Sequence, residues 1–511
     1  MVEIIKISPY ILKMNYLKLY LSSLITLLVI PTFSQKSDSI FQYRVEAAVT
    51  ASTGDFAPLW LTANRYGMES ERPNSGYLRA GLEWKKNFKH NWHIKAGIDL
   101  AGGLKQTSDF WIQQAYADIS WKMLTLSIGS KERTGFPLKK NSELSSGWMV
   151  EGPNARPIPQ IRAEIKDFLN IPGTKQWLAF KGHLAYGKFT DAKWQENFTN
   201  VNAYFTKNVL YHSKSLMFRL GNKEKVPIEF EFGMLIAAQF GGNKYQKLPN
   251  GESQLILNMP NDLDAYWKAF LPAAGGSDTP ITEQANIEGN MLGSWNFALN
   301  YYWKAWKLRV TLDHYFEDHS QMFWEYGRWK DGQLSIELTF PKNKWISTLL
   351  WEGISTKDSS GPILYDAYWG SFPDRQVSGS DSYYNHYIYQ AWQHFGQGIG
   401  NPLLPGPNYN KDANITFKSN RLRGQHIGIS GNPTSEWKWR FILSYIRYWG
   451  TYGAPLDKIR KQFYSMAEIQ YHPQYAKGWS ISLGIGLDRG NYLGNSAGSM
   501  ITIKKIGGIS K

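Results

Sequence analysis

The sequence contains no cysteine in its 511 residues. Disulfides therefore do not stabilise the fold, and a thiol nucleophile and a lipid-modified N-terminal cysteine are both excluded. Long apolar runs are lacking too: the mean hydropathy is −0.41, and only residues 19–30 are continuously apolar. Beyond residue 34 no segment is apolar enough to cross a membrane as a helix. If the rest of the chain enters a membrane, it does so as strands.

The single apolar run has the layout of a secretory signal. Lys18 precedes it and the small-residue stretch 32–34 follows it, and the run is too short to span a bilayer comfortably. We therefore predict a signal peptide over residues 1–34, with cleavage near Ser34, and one domain over residues 35–511. An N-terminal membrane anchor is the alternative.

Every-other-residue alternation of apolar and polar side chains recurs almost to the C-terminus. In residues 479–487 the apolar set is Trp479, Ile481, Leu483, Ile485 and Leu487, and serine and glycine lie between them. Side chains of a strand alternate between its two faces, so this segment has one apolar face and one small, polar face. Such a strand fits a membrane barrel, in which the apolar face meets lipid and the polar face lines the lumen.

About 18 or 19 such segments can be counted, including one near residue 203, and many are joined by short polar turns that predict antiparallel hairpins. The 22 tryptophans and the 15% aromatic content fit the aromatic girdles that mark both membrane interfaces. The expected fold is an all-β transmembrane antiparallel barrel of about 18 strands with long extracellular loops. A soluble secreted sandwich remains a less favoured possibility.

Three long segments interrupt the pattern, at residues 134–158, 241–292 and 354–422. Loops of this length are usually functional or disordered, and barrels place them on the extracellular side. The third segment is too aromatic for disorder, so we expect it to fold over or into the mouth of the barrel.

The net charge is +15, from 57 basic and 42 acidic residues. One interpretation is attraction to an anionic partner such as an acidic glycan or lipopolysaccharide phosphate; the other is a solvated lumen and rim. The basic residues form no run and no recognition module, so nucleic acid is not an expected partner.

Loop aromatics beside hydrogen-bonding groups are the candidate binding residues, because flat rings can stack on sugar faces. The predicted glycan-binding residues are Trp324, Trp329, Arg375, Tyr383, Tyr384 and His386. A metal site at His314, Glu317 and His319 matches no standard ligand spacing. The GxSxG pattern at residues 494–498 lies between two predicted strands, whereas a nucleophile needs a strand-to-helix elbow. We therefore predict no catalytic residues, no metal and no cofactor.

Eight segments carry a resemblance to a known protein family: 58–67 (PLWLTANRYG), 113–118 (QQAYAD), 128–133 (IGSKER), 154–162 (NARPIPQIR), 178–183 (LAFKGH), 211–216 (YHSKSL), 383–386 (YYNH) and 426–431 (HIGISG). Through these segments the chain resembles the Wzi family of capsule-assembly outer-membrane proteins.

The resemblance implies an eighteen-stranded barrel in the outer membrane of a Gram-negative bacterium. It also implies a lectin-like, non-catalytic role in holding exported polysaccharide at the cell surface. The expected partners are capsular or surface polysaccharide, outer-membrane lipid and lipopolysaccharide, and the barrel-insertion machinery. Better-known family members carry a periplasmic helical plug, but no amphipathic helical run precedes the first predicted strand here. The alternative function is a substrate-selective porin that uses a basic lumen as a filter for anionic solutes.

Overall fold

Eighteen antiparallel strands close into one barrel in the computed structural model of the chain. The structure describes residues 39–285, 287–317, 322, 330–359 and 381–510. The first strand pairs with the second and also with the last, so the sheet has no free edge. Closure satisfies the backbone groups of every strand, which is the condition for a sheet to cross lipid.

Each barrel strand is joined to the next by a hairpin connection. The barrel strands are β1 (Ser39–Thr53), β2 (Gly76–Asn87), β3 (Trp92–Leu104), β4 (Phe110–Trp121), β5 (Leu124–Ser130), β6 (Gln160–Asn170), β7 (Leu178–Lys188), β9 (Leu210–Leu220), β10 (Ile228–Phe240), β13 (Asn290–Trp303), β14 (Trp306–Glu317), β15 (Gly332–Thr339), β16 (Thr348–Ser355), β21 (Arg421–Gly431), β22 (Trp437–Gly450), β23 (Pro455–Tyr471), β24 (Trp479–Gly490) and β25 (Ser496–Ser510).

Smaller elements belong to the connections. A three-stranded sheet contains β8 (Tyr204–Lys207), β11 (Asn243–Lys247) and β12 (Ser253–Asn258), and two short ladders pair β17 (Asn385–His386) with β18 (Gln390–Ala391) and β19 (Gln393–His394) with β20 (Gln397–Gly398). Among the described residues the helices are α1 (Leu59–Thr62), α2 (Ala192–Phe198), α3 (Leu263–Phe270) and α4 (Ile281–Ala285), with 3-10 turns at Lys89–Asn91 and Pro407–Tyr409. No helix in the described part of the chain is long and apolar enough to span a membrane.

The alternation of the sequence determines the two faces of the wall. In β24, Ile481, Leu483, Ile485 and Leu487 are exposed on the outside, whereas Gly484 and Gly486 are buried toward the lumen. The same alternation makes the outer face of the barrel an apolar band, as a lipid-embedded wall requires. The predicted assignment of faces in this strand is confirmed.

The two ends of the barrel differ. Short turns, the longest of them residues 340–347, connect the strands at the end where β1 begins, and long connections cluster at the other end. Barrels of this kind have short periplasmic turns and long extracellular loops, so β1 begins on the periplasmic side. Tryptophans gather at that rim, where rings pair across neighbouring strands, as in Trp92–Trp121 and Trp303–Trp306.

Two details of the sequence interpretation are wrong. The segment near residue 203 is not a barrel strand: it forms β8, which pairs with β11 outside the barrel. Removing it from the count of 19 leaves the 18 strands observed. The alternation over residues 230–238 predicts a lipid-facing set that includes Ile236 and Ala238. Both do face outward on β10, but both are buried, and Ile287 and Met322 of the connections pack on the cluster that contains Ile236.

Candidate functional site

Three extracellular connections turn inward, and their described residues fill the lumen of the barrel. These plug segments, as we call them, are residues 54–75, 131–159 and 381–420. Their apolar side chains form one large buried cluster with side chains of the inner wall, in which Trp60, Leu144 and Trp392 are all nearly or fully inaccessible to solvent. The expectation that the third long loop folds into the barrel mouth is confirmed for residues 381–420. The periplasmic helical plug has no counterpart in the described residues, and irregular chain fills the barrel instead.

The polar inner wall is the reason that the plug segments stay in place. Leu59 N–H donates to Asp488 Oδ2 at 2.8 Å, and Trp60 Nε1–H donates to Ser444 Oγ at 3.1 Å. Arg65 Nη2 lies 3.0 Å from Glu468 Oε2. Removal of one partner from a buried charged pair is costly, so these contacts fix the first plug segment to β22, β23 and β24.

The second and third plug segments bind other strands of the wall in the same way. Lys140 Nζ donates to Asp313 Oδ2 at 3.0 Å, and Ser146 N–H donates to Glu352 Oε2 at 2.8 Å. The wall carboxylates that bind plug segments include Asp313, Glu317, Glu352, Glu468 and Asp488. In an open channel these inward-facing carboxylates would be hydrated. Here they accept hydrogen bonds from donors of the plug segments instead.

The plug segments also bond to one another. Trp392 Nε1–H donates to the carbonyl of Val150 at 2.9 Å, and Asn154 Nδ2 donates to the carbonyl of Gly398 at 2.9 Å. Gln397 Nε2 donates to the carbonyl of Glu69 at 3.1 Å. The three segments therefore act as one packed body inside the barrel.

Tyr383 and Tyr384, predicted to bind glycan, lie at the centre of this body. Both are fully buried, and their rings pack edge-on against Tyr315 of β14 at centroid distances of 4.5 and 5.8 Å. Tyr384 N–H donates to Glu317 Oε1 at 2.9 Å, and the Tyr384 hydroxyl donates to the Met149 carbonyl. Neither ring has a face exposed to solvent, so in this structure the two tyrosines hold the plug together.

His386 lies nearer the extracellular surface, where β17 and β18 meet the three-stranded sheet. Its Nε2 is 3.7 Å from Glu283 Oε1, and its ring packs on Tyr389. Burial, with a smaller effect of Lys244, lowers the pKa of His386 to about 4, so the ring is neutral at pH 7. Trp324, Trp329 and Arg375 lie outside the described residues. The structure thus brings together Tyr383, Tyr384 and His386 of the predicted set.

The exposed aromatic patch beside His386 consists of Tyr204 and Tyr387, with Lys244 between them. The ammonium of Lys244 lies 4.3 Å from the ring centroid of Tyr204 and 3.9 Å from that of Tyr387, and it donates to the Tyr387 carbonyl at 2.8 Å. Tyr387 is 65% exposed and Tyr204 is 37% exposed. Burial lowers the pKa of Lys244. The Lys244 ammonium thus contacts both tyrosine rings, and part of each ring remains exposed to solvent.

Sequence reasoning did not single out Tyr204 or Tyr387. Tyr387 lies three residues after Tyr384 in the same loop, and composition gives no reason to choose between them. Tyr204 lies in the segment near residue 203, which the alternation of the sequence assigns to a barrel strand. Only the pairing of β8 with β11 brings Lys244 beside Tyr204 and the 385–391 hairpin.

A cavity of about 460 Å³ lies on the periplasmic side of the plug. Its lining is mixed in polarity and in charge, and includes Glu46, Arg65, His472, Trp479 and Lys504. The plug segments lie between this cavity and the extracellular mouth. Among the described residues no group of acidic and histidine side chains has metal-ligand geometry.

Comparison with known proteins identifies the class of fold. No protein-family model matches the chain, and no curated protein matches it either. Among solved structures, the chain is similar to Wzi of Escherichia coli, described as a carbohydrate-binding β-barrel involved in group 1 capsule assembly. The TM-score is 0.54 at 12% identity, over 90% of this chain and 83% of that one.

Other outer-membrane barrels also match over most of their length. OccK5 (OpdH) of Pseudomonas aeruginosa aligns with a TM-score of 0.46 at 11% identity, over 93% of this chain and 99% of that one. OpdK of the same organism aligns with a TM-score of 0.47 at 8% identity, over 92% and 99%. The chain has the fold of outer-membrane β-barrels. At these identities the likeness extends to the fold alone.

Proposed function

We propose that this chain is an outer-membrane barrel that binds exported or surface polysaccharide and helps to assemble or anchor a capsule, without catalysing a reaction. It would be exported by the signal peptide over residues 1–34 and placed in the outer membrane by the barrel-insertion machinery. Its further partners would be outer-membrane lipid and lipopolysaccharide. The likeness to the carbohydrate-binding Wzi barrel supports this proposal at the level of fold.

The observation that carries the proposal is the filled lumen. Loops that only rested in a channel could leave it, but these are bonded to wall carboxylates and to each other. A barrel closed in this way presents its extracellular loops as a rigid surface, and binding residues are often found on loops that a rigid scaffold positions.

The binding site we propose is the exposed patch of Tyr204, Tyr387 and Lys244. Aromatic rings offer a flat apolar face with little conformational freedom to lose on binding. The loop that leads into β8 supplies amide groups on the exposed Asn200 and Asn202, and amides can hydrogen-bond to sugar hydroxyls. The net charge of +15 favours an acidic glycan over a neutral one.

Retention of polysaccharide in a deletion strain tests the function. We expect total polysaccharide to stay constant while the cell-bound fraction falls and the released fraction rises. The double variant Tyr204→Ala, Tyr387→Ala should reproduce this shedding at normal barrel abundance. Tyr475→Ala is the matched control, because Tyr475 is 86% exposed in a turn at the periplasmic end. Unaltered attachment in the deletion strain would refute the capsule role.

The alternative is a porin for anionic solutes, and the periplasmic cavity with Arg65 and Lys504 is the observation in its favour. The two functions differ in conductance. A porin must conduct in planar bilayers, whereas a barrel closed by anchored plug segments should conduct little. Steady anion-selective conductance of the purified protein would favour the porin.

A further inference from the structure

A short helix covers part of the outer wall at its extracellular edge. Helix α3 begins after Asp262, whose side chain caps Ala265 N–H, and its buried residues Ala265 and Ala269 pack on Phe240 of β10. The opposite side of the helix is apolar as well: Leu263 is 88% exposed and Trp267 is 59% exposed. A water-facing helix would carry polar residues at those positions.

The height of α3 on the wall places it at a membrane interface. Strand β10 runs over 13 residues from Ile228 at the periplasmic end to Phe240 beneath α3. At a rise of about 3.4 Å per residue and a strand tilt of about 40°, Phe240 lies about 30 Å above Ile228. The apolar band of such barrels is about 25 Å tall. Helix α3 therefore lies at the outer edge of that band, where headgroups begin.

Two polar side chains, His212 and Lys214, face outward on β9 beneath the helix. His212 and Lys214 share the outward face of β9 with the exposed Leu216, and Lys214 is directly opposite the exposed Leu184 of β7. His212 is completely buried, with Nδ1 3.0 Å from the Ala185 carbonyl, and its Nε2 has no hydrogen-bond partner among the described residues.

Lys214 is a partly exposed cation without a carboxylate partner in the described part of the chain. Its Nζ lies 4.8 Å from the ring centroid of Phe270, at the end of α3. Lys268, also on α3, has carboxylate partners: its Nζ lies 2.7 Å from Asp264 Oδ2 and 3.1 Å from Glu288 Oε2. A lysine on a lipid-facing wall is unfavourable unless an anion or water meets it.

We propose that α3 and Lys214 form a binding site for an anionic phosphoglycolipid of the outer leaflet. Acyl chains contact Leu263 and Trp267, in continuity with the apolar band below, and a lipid phosphate accepts a hydrogen bond from Lys214. Tryptophan and a basic side chain at headgroup depth are the usual pattern of an interfacial helix. The proposal is independent of glycan binding at Tyr204 and Tyr387.

Spin labelling tests whether lipid covers the helix. Because the chain has no cysteine, Leu263→Cys and the control Val201→Cys each give a unique nitroxide site; Val201 is exposed in an extracellular loop. In phosphatidylcholine vesicles containing lipid A, the label at position 263 should be more accessible to oxygen than to a water-soluble nickel chelate, and the label at 201 the reverse. Water-like accessibility at both positions, or a disulfide-linked dimer through position 263, would overturn the proposal.

The phosphate contact has its own test. Lys214→Gln should reduce the lipid A phosphorus retained by detergent-extracted protein by about fivefold, the effect of about one basic residue near an anionic surface. Lys505→Gln is the matched control: Lys505 lies 5.6 Å from the Trp479 ring at the periplasmic end of the barrel. Equal retention in the two variants would show that Lys214 does not bind lipid phosphate.

Discussion

A single methyl group on the inner wall should loosen the first plug segment. Gly486 of β24 faces the lumen where α1 is seated, and a Cβ placed there would lie 2.6 Å from Pro58 Cβ and 3.0 Å from Leu61 Cγ. Carbon atoms in favourable contact are about 3.5–4.0 Å apart. Since the proline ring is rigid, Gly486→Ala must displace the segment.

The size of the effect follows from the cost of overpacking, about 1–3 kcal/mol for an added methylene in a packed core. At about 2 kcal/mol, the equilibrium between seated and detached plug shifts by about 30-fold. Gly484→Ala is the matched control on the same strand and face. Its Cβ would meet the flexible tip of Leu61 at 3.1 Å, so we expect a change of less than about fivefold.

Thiol labelling measures this equilibrium directly, because the chain has no cysteine of its own. Ala57 is 2% exposed and precedes Pro58, so Ala57→Cys reports detachment of the segment. When opening and closing are fast compared with labelling, the labelling rate is proportional to the detached fraction. The comparison is made in the Ala57→Cys background, with circular dichroism to check that the β-barrel content is the same. Equal labelling rates with and without Gly486→Ala would refute the seating of α1 against β24.

Three further predictions concern the wall and the plug. Leu483→Arg, on the lipid face, should lower the free energy of unfolding in lipid vesicles by about 2–4 kcal/mol, and the neighbouring lumen-facing Ser482→Arg should be much milder; equal losses would contradict the assignment of faces. Glu468→Gln removes the shared partner of Arg65 and Arg440 and should cost about 3–5 kcal/mol by the same assay; a neutral result would mean that this contact does not hold the plug. Burial raises the pKa of Glu69 from its ordinary 4.5 to about 7, so the folded state binds more protons between these pH values and stability falls as pH rises through them. Glu69→Gln should therefore match the wild type near pH 4 and exceed its stability by up to about 3 kcal/mol above pH 7, and a difference that does not change with pH would contradict this assignment.

The sequence by itself determined the class of fold. The period of two in segments such as 479–487 separates a lipid face from a lumen face without reference to any partner strand, because alternation is a property of an extended backbone. It also determined how many strands the barrel has, to within the one segment near residue 203, and that the third long loop would fold over or into the barrel mouth.

Tertiary structure alone decided which loop residues are buried and which are exposed. Tyr384 and Tyr387 are near neighbours in one aromatic loop, yet Tyr384 is enclosed by Met149 and Glu317 while Tyr387 lies at the surface beside Lys244. The contact of Arg65 with Glu468 joins residues 403 positions apart. Local pattern cannot encode such contacts, because they exist only after the barrel has closed and brought its distant connections into one lumen.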